Sequence, residues 1–217
     1  MDVVVTIGPT NGVRRAMAEL TLRTWLQHKQ AGTVGRLIAQ NITGQPLLDL
    51  KGISPLIEWH GLERAGSQRQ RSIHAEAHTR GAFYVLADDD ALLDPRIKGR
   101  KDLGWDTYVP DLMDRLQVSA CQPHQIPEFG SWPSEYVHPD LILGDRELVR
   151  DTAVGVIRFV RRGCGMDDTL PPAQADNHFD RHRNDRFQQY GRMGHLMRLR
   201  CWHLGAWHSQ LRPGLRR

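Results

Sequence analysis

The chain has 217 residues, of which 40% are hydrophobic and 25% are charged, and this composition is typical of a folded domain. No segment approaches twenty consecutive apolar residues, and the apolar start of the chain is too short for a signal peptide. We therefore expect no membrane span and a cytoplasmic location. Three widely spaced cysteines, an odd number, argue against a disulfide framework and against a thiolate zinc site.

The charge is unevenly distributed along the chain. The formal net charge is +4, but residues 176–217 hold nine Arg and three Asp, with no Lys or Glu, and so carry +6. Residues 1–175 therefore carry −2. A basic C-terminal region can bind phosphates, nucleic acid or an anionic membrane surface. The alternative is that Arg is simply preferred over Lys throughout the chain.

The first half of the chain alternates between strand and helix patterns. A β-branched run at 2–7 predicts a buried first strand that ends at a Gly-rich turn, and the apolar spacing of 13–30 predicts an amphipathic helix. The other predicted elements of this half are strands at 34–39 and 56–59, a polar helix at 67–80 and a strand at 83–87. Such alternation favours a mostly parallel sheet, because parallel neighbours need crossover connections.

The second half is less regular. We predict a helix at 108–116, a strand at 117–120, an irregular loop at 121–140, a charged helix at 179–190 and a last strand at 196–202. No linker-like composition interrupts the chain. We therefore interpret residues 1–217 as a single domain with two halves, 1–95 and 96–217.

The most informative segment is 81–90, in which an apolar strand ends at three consecutive carboxylates. Carboxylates at the carboxyl end of a buried strand lie where an open α/β sheet forms its ligand crevice. Oxygen ligands in such a cluster favour Mg²⁺ or Mn²⁺, with phosphate oxygens completing the shell. Asp88 and Asp90 are two positions apart and point to the same side of an extended chain, whereas Asp89 points away. An acidic strand end leading into a solvated turn is the alternative.

Four sequence patterns, in order along the chain, resemble those of the GT-A glycosyltransferases, particularly the family 2 type. They are the first strand and turn at 3–11, the basic helix and DxD strand at 69–90, the acidic segment at 163–170, and Ala175-Asp176-Asn177 followed by His203-Leu204-Gly205. The chain departs from the family pattern where Ala175 replaces an acid before Asp176, and where Asn41 is nearest to the place of a second-strand acid. The resemblance therefore leaves the nucleotide base open.

The resemblance implies a single GT-A-like (Rossmann-like) α/β domain, with a mostly parallel mixed sheet flanked by helices. Residues 1–95 would be the nucleotide-sugar donor half, and residues 96–217 the acceptor half with its basic C-terminal region. The implied reaction is a metal-dependent, inverting transfer of a sugar from a nucleoside-diphosphate sugar to a hydroxyl group. The implied cofactor is Mn²⁺ or Mg²⁺.

The resemblance also implies the roles of particular residues. Asp88, Asp90 and His203 would bind the metal, with His208 as a competitor of His203. Asp176 would be the catalytic base, with Asp168 as the alternative; a helix N-cap is the structural interpretation of Asp176. The donor would be contacted by Thr6, Gly8, Pro9, Asn41, Arg69, Arg71 and Asp88.

Other residues of the sequence carry weaker hypotheses. Arg69, Arg71 and Arg80 precede the carboxylates, and we expect one of them to contact the diphosphate. Trp132 and Tyr136 would stack on a sugar or a base, or else anchor their own loop.

The acceptor stays open between a glycan, a small molecule and nucleic acid. A DNA glycosyltransferase of the phage type, acting on a hydroxylated base, is one alternative. A nucleotidyltransferase would show a Gly-rich basic loop after the first strand, for which only Arg14 and Arg15 give a hint. A non-enzymatic nucleotide-binding module is the remaining alternative.

Overall fold

The computed structural model describes residues 1–8, 12–61, 68–126, 141–144, 156–164 and 190–205, although not the side chains of 68–70, 126, 141–144 and 192. In chain order the described elements are β1 (Asp2–Ile7), α1 (Gly12–Gln30), β2 (Leu37–Asn41), α2 (Leu48–Lys51), β3 (Ile57–Gly61), α3 (Gln68–His78), β4 (Phe83–Asp88), β5 (Ala91–Leu93), α4 (Trp105–Arg115), β6 (Val118–Ile126), β7 (Leu141–Gly144), β8 (Ile157–Arg161) and β9 (Arg192–His203).

The strands form one nine-stranded sheet in the order β3-β2-β1-β4-β8-β6-β9-β5, with β7 paired to β9. The first four strands of this order are parallel to one another. Their register places Thr6 opposite Asp88, and Ile7 opposite Asn41. The carboxyl ends of β1, β2 and β4 therefore meet at one edge of the sheet, which is where such folds form a ligand crevice.

The other half of the sheet mixes strand directions. β8 runs antiparallel to both β4 and β6, and β9 is parallel to β6 but antiparallel to β5 and β7. The sheet is thus mixed, and its parallel pairs lie mainly in the first half of the chain. An α/β domain with a mixed sheet and flanking helices confirms the fold class predicted from the sequence.

The prediction of a loop from residue 121 is wrong at its start, because β6 continues as far as Ile126. A proline and polar side chains hide this extension in the sequence. The structure accommodates them with a register shift against β9 between Pro123 and His124. Proline has no N–H to give to a neighbouring strand, and irregular positions of this kind are where sheets tolerate it.

Hydrophobic clusters cover both faces of the sheet. Alternate residues of β1 divide between them: Val3 and Val5 belong to the larger cluster, which includes Trp25 of α1 and Trp105 of α4, whereas Val4 packs with Ala75 of α3. Cys121, Cys164 and Cys201 are buried free thiols. Among the described helices, none is both long enough and apolar enough to span a membrane.

Folding buries a titratable ring on β9. His195 is 4% exposed, and its Nε2 lies 3.4 Å from Nδ1 of His124 on β6. Burial, and to a lesser extent the neighbouring His124, lowers the pKa of His195 to about 3. The ordinary pKa of a histidine is about 6.5, so folding suppresses protonation at this position.

We expect the free energy of unfolding to fall as the pH is lowered from about 6.5 towards 3. In that window folded His195 stays neutral while the unfolded chain takes up the proton, so the unfolded state binds more protons and stability rises with pH. Each pKa unit is worth roughly 1.4 kcal/mol, so a shift of this size corresponds to a few kcal/mol in the free energy of unfolding. Urea unfolding at a series of pH values should show a shallower acid decline for His195→Gln than for the wild type. Equal declines would contradict this expectation.

Candidate active site

Three of the residues predicted to lie at the site come together at the carboxyl edge of the parallel strands. Thr6, near the end of β1, is in register with Asp88 at the end of β4, and Asn41 ends the neighbouring strand β2. The side chain of Asp88 is exposed at this edge. The two carboxylates that follow Asp88 lie in the turn between β4 and β5, and both are buried.

Asp89 is buried in the turn, and its carboxylate is bound by two groups from the β1–α1 side of this edge. It is 2% exposed, and its Oδ2 accepts a hydrogen bond of 2.8 Å from the backbone N–H of Gly8. Its Oδ1 accepts one of 3.1 Å from the Arg14 guanidinium. Burial raises the pKa of Asp89, although Arg14 and the Gly8 N–H act in the opposite direction. Asp89 therefore ties Gly8, at the end of β1, and Arg14, in the first turn of α1, to the turn that carries the carboxylates.

Asp90 meets His203, which comes from the far end of the chain. Asp90 Oδ2 lies 3.3 Å from His203 Nε2, and the backbone oxygen of Asp90 accepts a hydrogen bond of 2.8 Å from Leu204 N–H. The antiparallel pairing of β5 with β9 creates this contact, because it sets Ala91 opposite His203. The carboxylate and the imidazole to which the family resemblance gives one metal are thus adjacent in the structure.

Gly205 makes that approach possible. A Cβ at this position would overlap Oδ2 of Asp90 and would lie 3.4 Å from Nε2 of His203. The backbone of residue 205 therefore lines the space between the two side chains, and only glycine leaves that space open.

Gln125 is a site residue that the sequence analysis missed. It is 7% exposed on β6, and its Nε2 lies 3.4 Å from Nδ1 of His203. A side-chain amide can present either its nitrogen or its oxygen to a ring nitrogen, so Gln125 can hold His203 with Nε2 directed towards Asp90 in either tautomer. Recognition that β6 continues beyond residue 120 would have revealed Gln125.

Arg14 is a second residue whose role the sequence left open. It lies in the first turn of α1, close enough to Asp88, Asp89 and Asp90 for their negative charges to act on its pKa. Partial burial opposes its positive charge, but Asp89, followed by Asp90 and Asp88, produces a net rise in the pKa of Arg14. The side chain is half exposed, at 51%, and so adds an accessible positive charge beside the acidic turn.

The residues predicted to contact the donor differ in what their side chains already bind. Thr6 Oγ1 donates to Gln40 Oε1 at 3.1 Å, and Gln40 Nε2 donates at 3.1 Å to the backbone oxygen of Arg71. Gln40 therefore fixes α3 against β2. The Asn41 amide is committed to its own turn, because Nδ2 donates to the Gln45 oxygen at 2.7 Å and Oδ1 accepts from Thr43 N–H at 3.0 Å.

Arg80 corrects one sequence expectation. Its backbone N–H donates to Asp2 Oδ2 at 2.7 Å, at the amino end of β1, so the full length of β4 separates it from Asp88. Arg80 is therefore wrongly placed to join a site at the carboxyl edge. The expected positions that lie outside the described residues are Pro9, Trp132, Tyr136, Asp168, Asp176 and His208, together with the side chain of Arg69.

The ligand chemistry of the site fits a divalent cation. Two ligands of one ion, each about 2.0–2.2 Å from it, lie about 3 Å apart, and the Asp90–His203 separation of 3.3 Å is close to this value. A carboxylate suits Mn²⁺ and Mg²⁺, and an imidazole is a common ligand of transition metals. Asp88 is exposed nearby, but among the described side chains it does not form a compact group of three ligands with Asp90 and His203.

The fold is a GT-A-like α/β domain, and solved structures share it. The structure of S. aureus TarS has a TM-score of 0.60 at 12% identity, over 92% of this chain and 36% of that one. The structure of S. aureus TarS 1–349 in complex with UDP has a TM-score of 0.58 at 11% identity, over 93% of this chain and 60% of that one. The structure of GalNAc-T7 with UDP, GalNAc and Mn²⁺ has a TM-score of 0.62 at 13% identity, over 93% of this chain and 43% of that one.

At these identities the likeness shows a common fold and nothing finer. The chain spans less than two thirds of the length of each of these structures. No protein-family model and no curated protein matches it.

Proposed function

We propose that the protein is a metal-dependent, inverting glycosyltransferase that uses a nucleoside-diphosphate sugar. The observation that carries the proposal is the 3.3 Å approach of Asp90 Oδ2 and His203 Nε2 at the carboxyl edge of a GT-A-like sheet. Structures with the same fold contain UDP in S. aureus TarS and UDP with Mn²⁺ in GalNAc-T7. Resemblance to family 2 and a cytoplasmic location remain predictions.

The proposed site has a metal-binding side and a phosphate-binding side. Asp88, Asp90 and His203 would hold Mn²⁺ or Mg²⁺, which would stabilise the negative charge of the leaving diphosphate. The turn that Asp89 anchors at Gly8 would approach the diphosphate through its backbone, with Arg14 adding positive charge. Contacts of the donor with Thr6, Pro9, Asn41, Arg69 and Arg71 belong to the same proposal.

Inverting transfer needs a base that accepts the proton of the attacking hydroxyl group. We propose Asp176 for this step, with Asp168 as the alternative. Asp176→Asn should keep donor binding and lose transfer to the acceptor by about 10²–10⁴-fold, the usual contribution of a general base. Asp168→Asn is the matched control. If Asp176→Asn transfers normally and Asp168→Asn does not, the base is Asp168.

The first experiment is a panel of nucleotide sugars tested with Mn²⁺ and with Mg²⁺, in which release of free nucleotide is measured. We expect at least one donor to be hydrolysed or transferred only when a divalent ion is present. If no nucleotide sugar binds, the proposal is wrong. Binding of plain nucleotides without any turnover would support the alternative of a non-enzymatic nucleotide-binding module. Release of pyrophosphate from a nucleoside triphosphate would indicate the nucleotidyltransferase instead.

A DNA acceptor is favoured by one specific observation, the charge of +6 within residues 176–217. Such a region can follow a phosphate backbone, and the binding should then weaken steeply as salt is raised. An enzyme that modifies a base must also take it out of the duplex. Comparing plain with hydroxymethylated DNA in the transfer assay tests this version, and transfer only to glycans or small molecules would exclude it.

A further inference from the structure

Three histidines lie together between α3 and the end strand β3. His60 is on the edge strand β3, and His74 and His78 lie one helical turn apart on α3. One ring nitrogen from each of the three lies within 4.8 Å of the other two. His60 and His74 are half-buried and His78 is exposed, so the group can be reached from solvent.

The contact between His60 and His74 has the dimensions of a metal site. His60 Nδ1 lies 3.2 Å from His74 Nε2. Two nitrogens bound to one tetrahedral zinc ion, each about 2.0–2.1 Å from it, lie about 3.3 Å apart. An ion can therefore take the place of the proton that these nitrogens share when the two rings rotate so that both lone pairs point at it.

A backbone hydrogen bond fixes the tautomer of His78. Its Nδ1–H donates to the backbone oxygen of His74 at 2.9 Å, which leaves the lone pair on Nε2. Metal-bound histidines usually donate their other ring N–H in this way. The rings of His74 and His78 are stacked, with centroids 3.9 Å apart, so the exposed His78 ring must tilt for its lone pair to reach the same ion.

The protonation of the group also suits a metal. Burial, followed by the neighbouring His78 and His60, lowers the pKa of His74 to about 4. Burial and His78 likewise lower the pKa of His60. Both rings are therefore neutral near pH 7, and neutral imidazole is the form that binds metals.

We propose that His60, His74 and His78 bind one transition-metal ion of the zinc class, with solvent at the fourth position. Three imidazoles favour Zn²⁺, Cu²⁺ or Ni²⁺ over Mg²⁺. The bound ion fastens α3 to β3, the end strand of the described sheet.

This site is separate from the proposed active site. β3 is three strand positions from β4, which at about 4.8 Å per strand places the two sites about 14 Å apart across the sheet. The two ligand sets also prefer different metals, because the active site combines carboxylates with one imidazole. The inference therefore holds or fails independently of glycosyl transfer.

The test measures Zn²⁺ bound by the full chain after removal of all metal. Equilibrium dialysis followed by metal analysis is carried out on an Asp90→Asn, His203→Asn double variant, so that the proposed active site cannot contribute. We expect one Zn²⁺ per chain. Co²⁺ at the same site should give the visible absorption of tetrahedral coordination, and Zn²⁺ should raise the melting temperature.

The matched pair of variants is His78→Gln and Ala77→Gln, both on the same exposed turn of α3. Loss of a residue that only supports a metal ligand weakens metal binding by roughly 10–100-fold. In the double-variant background, His78→Gln removes a ligand itself and should weaken Zn²⁺ binding by more than this. Ala77→Gln should leave the affinity, the Co²⁺ spectrum and the thermal shift unchanged. Equal Zn²⁺ affinities in the two variants, or no Zn²⁺ bound to the double variant, would overturn the proposal.

Discussion

Replacing Asp90 with Asn should abolish metal-dependent turnover. The substitution keeps the shape of the side chain and the backbone hydrogen bond to Leu204, but removes the charged oxygen that faces His203. A metal ion contributes several kcal/mol to stabilising the developing charge, and each 1.4 kcal/mol is tenfold in rate, so we expect a loss of about 10³-fold or more. Nucleotide release at saturating Mn²⁺ measures the effect, and His203→Asn should show it too.

The control for this prediction is Asp94→Asn, which makes the same chemical change at the other end of β5. The Asp94 carboxylate is held by Arg96, with Oδ1 accepting at 2.8 Å and Oδ2 at 2.9 Å, and takes no part in the site. Asp94→Asn should therefore keep the metal dependence of the wild type. If Asp90→Asn retains metal-dependent turnover, Asp90 is not a metal ligand and the site has been assigned wrongly.

Gly205→Ala should damage the site with little effect on folding. The added methyl group would overlap Asp90 Oδ2, which is the free end of a flexible side chain and can move aside. Stability should thus fall only slightly, while the carboxylate is displaced from His203. Because a shift of about 1 Å in a reacting geometry can cost 10²-fold in rate, we expect a loss of about that size together with weaker Mn²⁺ binding.

Gly61→Ala is the matched control for this substitution. Among the residues that the structure describes, no atom would lie within 4 Å of the new Cβ at residue 61, on the edge strand β3. Activity and Mn²⁺ affinity should be unchanged there. Wild-type affinity for Mn²⁺ in Gly205→Ala would contradict the close packing of Gly205 against Asp90.

Much of the fold follows from patterns of neighbouring residues. The β-branched run of β1, the apolar spacing of α1 and the apolar run of β4 give these elements close to their observed bounds. The elements missed are those with weak local patterns, among them the three residues of β5 and the five of β8. Their conformation is set by pairing with strands distant in the chain, and no window of neighbouring residues contains that information.

The features of the site divide in the same way, into those visible in the sequence and those that only the structure shows. The sequence by itself determined the acidic strand end at Asp88–Asp90, because carboxylates after a buried strand are visible as residue types in order. His203 was singled out only by the resemblance to the GT-A glycosyltransferases. Only the tertiary structure decided that Asp90 meets His203, that Asp89 anchors Gly8, and that Gln125 supports the imidazole. The physical reason is that each contact depends on the register of strands or turns far apart in the chain, and a shift of one residue would point these side chains to the opposite face.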